Sequence, residues 1–408
     1  MSTQPDLATR NLAPPAFVAA LQNRALIFGV ICAVIAAAVS IHSPAEFFRG
    51  YLMGFMWCLG IALGSMALVM MGHLSGGNWF MLSRRIMEAA TRTLPLLVLL
   101  FIPIALNLKT IYTWASADAA TLAKDSVLAA KHGYLNPSGW QVRAVIYFAL
   151  WLLFAWKLNS GSLQQDTDAS PAVWQKLKAW SAPGILIYAL TLTLASVDWM
   201  MSLDPHWYST IYGFMVLAGQ LLSTFAFCTV MLVWLAKDDV INEVLHADRL
   251  HDMGKLMLAM TMVWAYFEFS QWLIIWNGNL PEEITWYLAR IRGTWGAVAL
   301  GLVFLQFALP FALLLSRDLK RDRNKLFPLA ILVMAMRLVD LFWLIAPNPV
   351  PGHEHEAVQL SLHPAYIFTP LAIMGIWLAA FARNLSRQPL LVRNDPQLPR
   401  LWEKSHGH

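Results

Sequence analysis

Five Lys, Arg, Asp or Glu side chains fall inside long apolar stretches of this 408-residue chain: Lys109, Asp198, Glu268, Arg337 and Asp340. A charge at the centre of a bilayer costs about 2.5–3.5 kcal/mol or more unless it is paired or hydrated, so each is a candidate for proton, ion or ligand chemistry. Glu268 is the sharpest of them. It sits in Trp264-Ala265-Tyr266-Phe267-Glu268-Phe269-Ser270-Gln271 with no basic residue within one helical turn. Burial disfavours the charged form of such a carboxyl, which suits proton uptake and release. Tyr266 and Gln271 are the polar-tipped side chains beside it. Arg337 and Asp340 are three residues apart, a spacing that allows direct contact along one helix; their plainest reading is a structural ion pair. Lys109 and Asp198 lie close to the ends of their stretches, where snorkelling to the interface competes with a functional reading.

Two loops extend this polar set. One runs Asp204-Pro205-His206-Trp207-Tyr208-Ser209-Thr210, and an imidazole there is suited to exchanging protons with solvent. The other runs from Asn277 to Tyr287, followed by Arg290 and Arg292. Their aromatic residues also fit an interfacial belt. On the opposite side, Gly76-Gly77-Asn78-Trp79 leads into Arg84, Arg85, Glu88 and Arg92, with His73 just before. Arg84 and Glu88 can pair at i, i+4. The segment reads either as an anchor for the following span or as a cytoplasmic proton mouth built from His73, Arg84, Arg85 and Glu88.

The elements that must position these residues are helices in a membrane. The chain is 58% hydrophobic and 13% charged, about half the charged fraction of an ordinary soluble domain. Its apolar blocks are long enough to cross hydrocarbon, where backbone polar groups must be satisfied within the segment and the helix is the solution. The expected fold class is an all-α membrane protein of about ten transmembrane helices. The spans are placed at Ala25–Ile41, Tyr51–Met71, Leu94–Trp114, Val145–Trp156, Gly184–Met201, Tyr212–Leu235, Leu256–Trp276, Trp295–Leu315, Phe327–Ile345 and Ile367–Phe381. The fourth is short as drawn and must extend at one end. This gives an amino-terminal segment 1–24, a polytopic domain 25–383 and a tail 384–408. The first 24 residues, with Asp6, Pro14 and Pro15, make a poor cleavable signal peptide. Lys and Arg number 21 in the amino terminus, the even-numbered connections and the tail, against 6 in the opposite loops. By the positive-inside rule both termini are expected in the cytoplasm. The five intramembrane charges then occupy spans three, five, seven and nine, each at or beyond its midpoint, and are expected to share one polar core in the outer half of the membrane.

Several chemistries are disfavoured. All eleven His residues lie outside the spans or at their ends, against a haem held between facing helices. Cys32, Cys58 and Cys228 sit singly in three spans, so no iron–sulfur cluster is expected. No glycine loop ending in Gly-Lys-Ser or Gly-Lys-Thr is present to cradle nucleotide phosphates. The net charge of +5 reflects topology rather than nucleic-acid binding. The run His353-Glu354-His355-Glu356 has the look of a metal clip, and His406 and His408 invite the same thought; a solvated loop and a solvated tail are the plainer readings.

These segments carry a resemblance to a known family. Residues 76–80 read Gly-Gly-Asn-Trp-Phe, 84–95 Arg-Arg-Ile-Met-Glu-Ala-Ala-Thr-Arg-Thr-Leu-Pro, and 197–213 Val-Asp-Trp-Met-Met-Ser-Leu-Asp-Pro-His-Trp-Tyr-Ser-Thr-Ile-Tyr-Gly. Residues 269–283 read Phe-Ser-Gln-Trp-Leu-Ile-Ile-Trp-Asn-Gly-Asn-Leu-Pro-Glu-Glu, 315–321 Leu-Ser-Arg-Asp-Leu-Lys-Arg, and 336–344 Met-Arg-Leu-Val-Asp-Leu-Phe-Trp-Leu. Together they resemble the second, smaller large membrane subunit of bacterial alternative complex III, which is similar to the polysulfide-reductase membrane subunits, and the likeness runs from about residue 50 to the tail. The resemblance implies two four-helix bundles, spans two to five and six to nine, with flanking helices. It implies a place in a quinol:electron-acceptor oxidoreductase of the bacterial cytoplasmic membrane, oxidising menaquinol or ubiquinol. The implied partners are a paralogous larger membrane subunit, iron–sulfur and haem c subunits that hold the redox cofactors, smaller membrane subunits, a terminal oxidase, and lipid.

The expectation is therefore a cofactor-free membrane subunit whose core is lined by Glu268, Asp198, Lys109, Arg337 and Asp340, with Asp204, His206, Gln271 and Tyr266 beside them, serving quinol binding or proton conduction. A secondary transporter with a midplane site is the rival from another class, and Pro103 and Pro310 are the prolines that could break its helices. A purely structural anchor is the third reading.

Overall fold

The computed structural model describes residues 12–352, 359–360 and 362–401. The His353–Glu356 run and the tail histidines His406 and His408 lie outside the described residues. Among those described, every regular element is a helix: α1 Ala16–Val39, α2 Pro44–Ser75, α3 Asn78–Thr91, α4 Leu94–Leu106, α5 Leu108–Ile111, α6 Thr113–Ser116, α7 Ala119–Lys124, α8 Ser126–Lys131, α9 Pro137–Gln165 and α10 Pro171–Trp199. There follow α11 Tyr212–Leu235, α12 Asp239–Val244, α13 Ala247–Gly278, α14 Pro281–Ile291, α15 Thr294–Gly301, a π-helical segment Leu302–Ala308, α16 Leu309–Leu315, α17 Arg317–Arg321, α18 Arg323–Ile345 and α19 Ala365–Leu385. Nine helices among the described residues are long and apolar enough to cross a membrane, and the pair α3 and α4, bent by 41°, makes a tenth. The chain is an all-α, multi-pass membrane protein.

Local sequence explains where the helices start. Pro44, Pro137, Pro171 and Pro281 occupy the first turn, where a missing N–H costs nothing. Asn136 Oδ1 accepts from the Gly139 N–H at 2.8 Å and Asp322 Oδ1 from the Asn324 N–H at 2.9 Å, capping α9 and α18. Each span placed from the sequence has its helix, and α11 agrees at both ends. Most others outrun the apolar block: α9 has 29 residues and α13 has 32.

The third span is the exception. α4 ends three residues after Pro103; Asn107 Nδ2 donates back to the Pro103 carbonyl at 2.9 Å, and the chain continues as the one-turn helices α5 and α6. Pro310 lies just after the π-helical segment. Lacking an N–H, it cannot bond the carbonyl four residues back, at Gln306, and the ladder upstream shifts register.

Helices α2, α4, α9 and α10 form one bundle, and α11, α13, α15–α16 with the π segment, and α18 form the other; α2 lies between them, against α10, α11, α18 and α19. Every residue in the most apolar stretch of α2 is buried. α1 packs on α19 at Gly29 and Gly375, where a methyl group on Gly29 would meet the Ile376 nitrogen at 2.8 Å, the close backbone approach that small residues permit in membranes. The first bundle is filled by aromatic rings, with Trp199 4.6 Å from Phe101 and Trp140 stacked on Phe101 at 5.4 Å. Leu12, the segment after α19 and the connections that follow α2, α9, α11 and α16 touch one another on one face, called terminal below; the other is distal.

Candidate functional site

The polar residues separate into four groups rather than the single core expected from sequence. The first is centred on Asp198 in the α2–α10 bundle. Asp198 is fully buried, and Arg143 of α9 grips it with two bonds of 2.9 Å, Nε to Oδ2 and Nη2 to Oδ1. The Tyr147 hydroxyl donates to Oδ2 at 2.8 Å. A carboxylate held bidentately by a guanidinium and by a phenol is satisfied and fixed. Asp198 therefore does not join Glu268.

The second group lies inside the α11–α18 bundle and brings together three of the five expected residues. Arg337 Nη1 pairs with Asp340 Oδ2, and Trp264 Nε1, one turn before Glu268 on α13, donates to the same oxygen at 3.2 Å. Glu268 interacts electrostatically with both Asp340 and Arg337. Gly219 of α11 packs directly against the Arg337 guanidinium. The ion pair of the guanidinium is with Asp340, and Glu268 stands within electrostatic reach of both. Glu268 Oε1 and Asp340 Oδ1 are both buried and accept no hydrogen bond from a described residue. Gln306, on the π-helical segment of the same bundle, is fully buried, with both ends of its amide unpartnered. A buried polar atom without a partner costs about 1–3 kcal/mol. Three side chains of this bundle thus hold four buried polar atoms without a hydrogen-bond partner among the described residues.

The distal edge of this bundle carries α14. Tyr287 is buried with its hydroxyl unpartnered; burial, then the nearby Glu268 carboxyl, pushes that phenol well above its ordinary range. Arg290 is 1% exposed, with Cζ 3.5 Å from the Trp286 ring centre, and donates to Asn348 Oδ1 at 2.7 Å and to the Leu344 carbonyl at 3.2 Å. Burial pulls its guanidinium down to about 9. Arg49 donates to the Ala346 carbonyl at 2.8 Å and to the carbonyls of Asn348 and Pro349. Two buried cations thus cap the carboxyl end of α18, where the helix dipole is negative.

The third group is on the terminal face. Arg84 bonds Glu88 at 2.8 Å, Asp395 at 2.7 Å, Gln165 at 2.9 Å and Ser162 at 3.1 Å. Arg85 bonds Glu88 at 2.9 Å and also Asp166. Arg84, Arg85, Glu88 and Asp395 are all at most 3% exposed. Asp395 belongs to the segment after α19, which lies back over this end with Leu390, Leu391 and Leu398 buried. His73 is enclosed separately, its Nδ1 3.0 Å from Ser181 Oγ and its ring edge-on to Phe80 and Trp174. Arg84, Arg85 and Glu88 are thus each engaged in buried ion pairs, contacts of the kind the anchor reading of this segment calls for.

The fourth group is the distal loop. His206 Nε2 lies 2.6 Å from Asp125 Oδ2, at the amino end of α8, and its backbone N–H donates to Asp204 Oδ1 at 3.1 Å. The side chain is 55% exposed. Gln271 is buried and its Oε1 accepts from Ser209 Oγ at 2.7 Å, tying α13 to this loop. Two expected residues do not join any group. Lys109 is exposed on α5, because the break at Asn107 turns the chain before Lys109 can enter the bundle. Tyr266 is 65% exposed, on the outward side of α13.

No family model matches this chain, and no curated protein matches it.

Proposed function

We propose that the chain is a proton-handling membrane subunit of a quinol-oxidising assembly of the alternative complex III type, with Glu268, Arg337 and Asp340 as its proton-exchanging group. The observation that carries this reading is a buried carboxyl oxygen of Glu268 close to an ion pair that it does not join. Arg337 pairs with one of two carboxyl groups in this bundle, and Glu268 and Asp340 each keep a buried oxygen with no donor among the described residues. A structural ion pair needs one carboxylate, and Trp264 already completes the pair at Asp340 Oδ2. The second carboxyl, Glu268, is then chemically useful only if it takes up and gives back a proton.

The sequence likeness supplies the assembly: electrons from menaquinol or ubiquinol would pass to iron–sulfur and haem c subunits, with this chain carrying neither cofactor. Its place would be the bacterial cytoplasmic membrane, terminal face inward, beside a larger paralogous subunit. His206, exposed between Asp125 and Asp204, would exchange protons on the distal side. Isolation of the native assembly under mild detergent tests the setting. Haem c absorbance and iron–sulfur resonances in co-purifying subunits are expected; a chain that purifies alone, catalysing substrate exchange across vesicles, would make it a transporter instead.

A further inference from the structure

The outward face of α13 follows from sequence spacing. Ala259, Met262, Tyr266, Phe269, Leu273 and Trp276 are all exposed and recur every three or four residues, which makes them one stripe along the helix. In its most apolar stretch α13 is only 22% buried within the chain, against 83% for α11 and 100% for α2. α13 therefore keeps one side open at the surface of its bundle.

An apolar stripe alone calls for nothing but lipid. Tyr266 changes that. It is 65% exposed, and its hydroxyl makes no hydrogen bond to a described residue. Tyr266 is ten positions from both Leu256 and Trp276, the ends of the apolar block. At about 1.5 Å per residue its Cα lies about 15 Å from either end. A tyrosine at the membrane edge sends its hydroxyl to the wet interface. This one is too deep to do so, and hydrocarbon offers it no partner. Whatever covers Tyr266 must bring a hydrogen-bonding group to the same depth.

A second copy of the chain does so of necessity. Copies inserted in one orientation can share a two-fold axis only along the membrane normal. Two α13 helices then run parallel, with Tyr266 opposite Tyr266. A phenol both donates and accepts, so one hydroxyl donates to the other and the pair needs no further group. The three-and-four spacing is that of a left-handed helix pair crossing at about 20°. Lys255, the next stripe position toward the terminal face, already holds Asp252 at 2.7 Å, so no bare charge meets its own image. We infer that the chain forms a symmetric dimer through the outward face of α13, with the Tyr266 pair as its polar centre. This interface stands or falls apart from the proton role of Glu268.

Disulfide trapping tests it in the membranes where the full-length protein is made. Met262→Cys and Phe269→Cys flank Tyr266 on the stripe. Val34→Cys on α1 and Leu190→Cys on α10 are controls on other apolar faces, 65% and 57% exposed. On brief oxidation with copper phenanthroline, both stripe variants should give a product of two chains whose peptides come from this sequence alone. The controls should stay single, because a disulfide forms only between closely apposed Cβ atoms. Tyr266→Phe, added to Met262→Cys, should lower the trapped fraction about fivefold, the scale of one interhelical hydrogen bond in a bilayer. Tyr266→Gln, which keeps a donor and an acceptor, should restore it. Four results would each overturn the dimer: no product, equal trapping at all four positions, a product containing a different chain, or trapping that Tyr266→Phe leaves unchanged.

Discussion

Gly219 of α11 leaves the space that the Arg337 guanidinium fills: a methyl group there would lie 2.3 Å from Arg337 Cζ. The guanidinium is held from behind by backbone and from the front by Asp340, so its position relative to Glu268 is fixed. Gly219→Ala should push it off Asp340 and lower proton-coupled turnover about tenfold, a usual scale for a lost acid–base arrangement. Gly301→Ala, at a helical glycine with open space around it, is the control and should leave turnover unchanged. Equal behaviour of the two variants would remove Arg337 from the proton-exchanging group.

Asp198 is expected to be structural. Asp198→Leu leaves Arg143 and Tyr147 facing an apolar group, and breaking a buried pair costs about 3–5 kcal/mol. Thermal unfolding of the purified chain should shift down sharply, and the yield of assembled protein should fall. The pH profile of whatever assembles should match the parent. An altered profile in a stably folded Asp198→Asn variant would return Asp198 to the proton path.

Much of this arrangement was legible in the sequence, and the failures have physical causes. The spans were readable because hydrocarbon demands long apolar helices, and α11 was found end to end. The fourth apolar block begins at Val145 and leaves out Arg143, the partner of Asp198, although Asn136-Pro137 is a start signal for a helix that includes it. Gln306 carries no charge to set it apart within its apolar block, and its signal is Pro310 four positions later. Arg290 and Tyr287 read as loop residues because α14 is amphipathic and too short to span. Asp395 carried no local signal at all: its partner Arg84 is 311 positions away.

The terminal-face network should hold the segment after α19. Asp395→Ala leaves Arg84 with Glu88 but removes the tie to that segment. Limited proteolysis should then cut within residues 387–401 far faster than in the parent protein, while quinol turnover changes less than twofold. Unchanged protection would mean that the buried leucines alone fix the segment.

Both termini are expected in the cytoplasm, from the 21-to-6 distribution of basic residues. A reporter active only in the cytoplasm, fused after His408, should be active, and one inserted in the connection between α6 and α7 should be silent. The reverse pattern would invert the membrane orientation and place His206 on the cytoplasmic side.

Glu268 is the residue proposed to carry protons. Glu268→Gln keeps the size and much of the hydrogen-bonding capacity of the side chain and abolishes its titration. Quinol-driven proton movement should be measured in vesicles containing the purified variant assembly, beside a gel that confirms full subunit content. The expected outcome is an intact assembly in which proton movement falls about tenfold or more; full proton movement in an intact Glu268→Gln assembly would exclude Glu268 as the proton carrier.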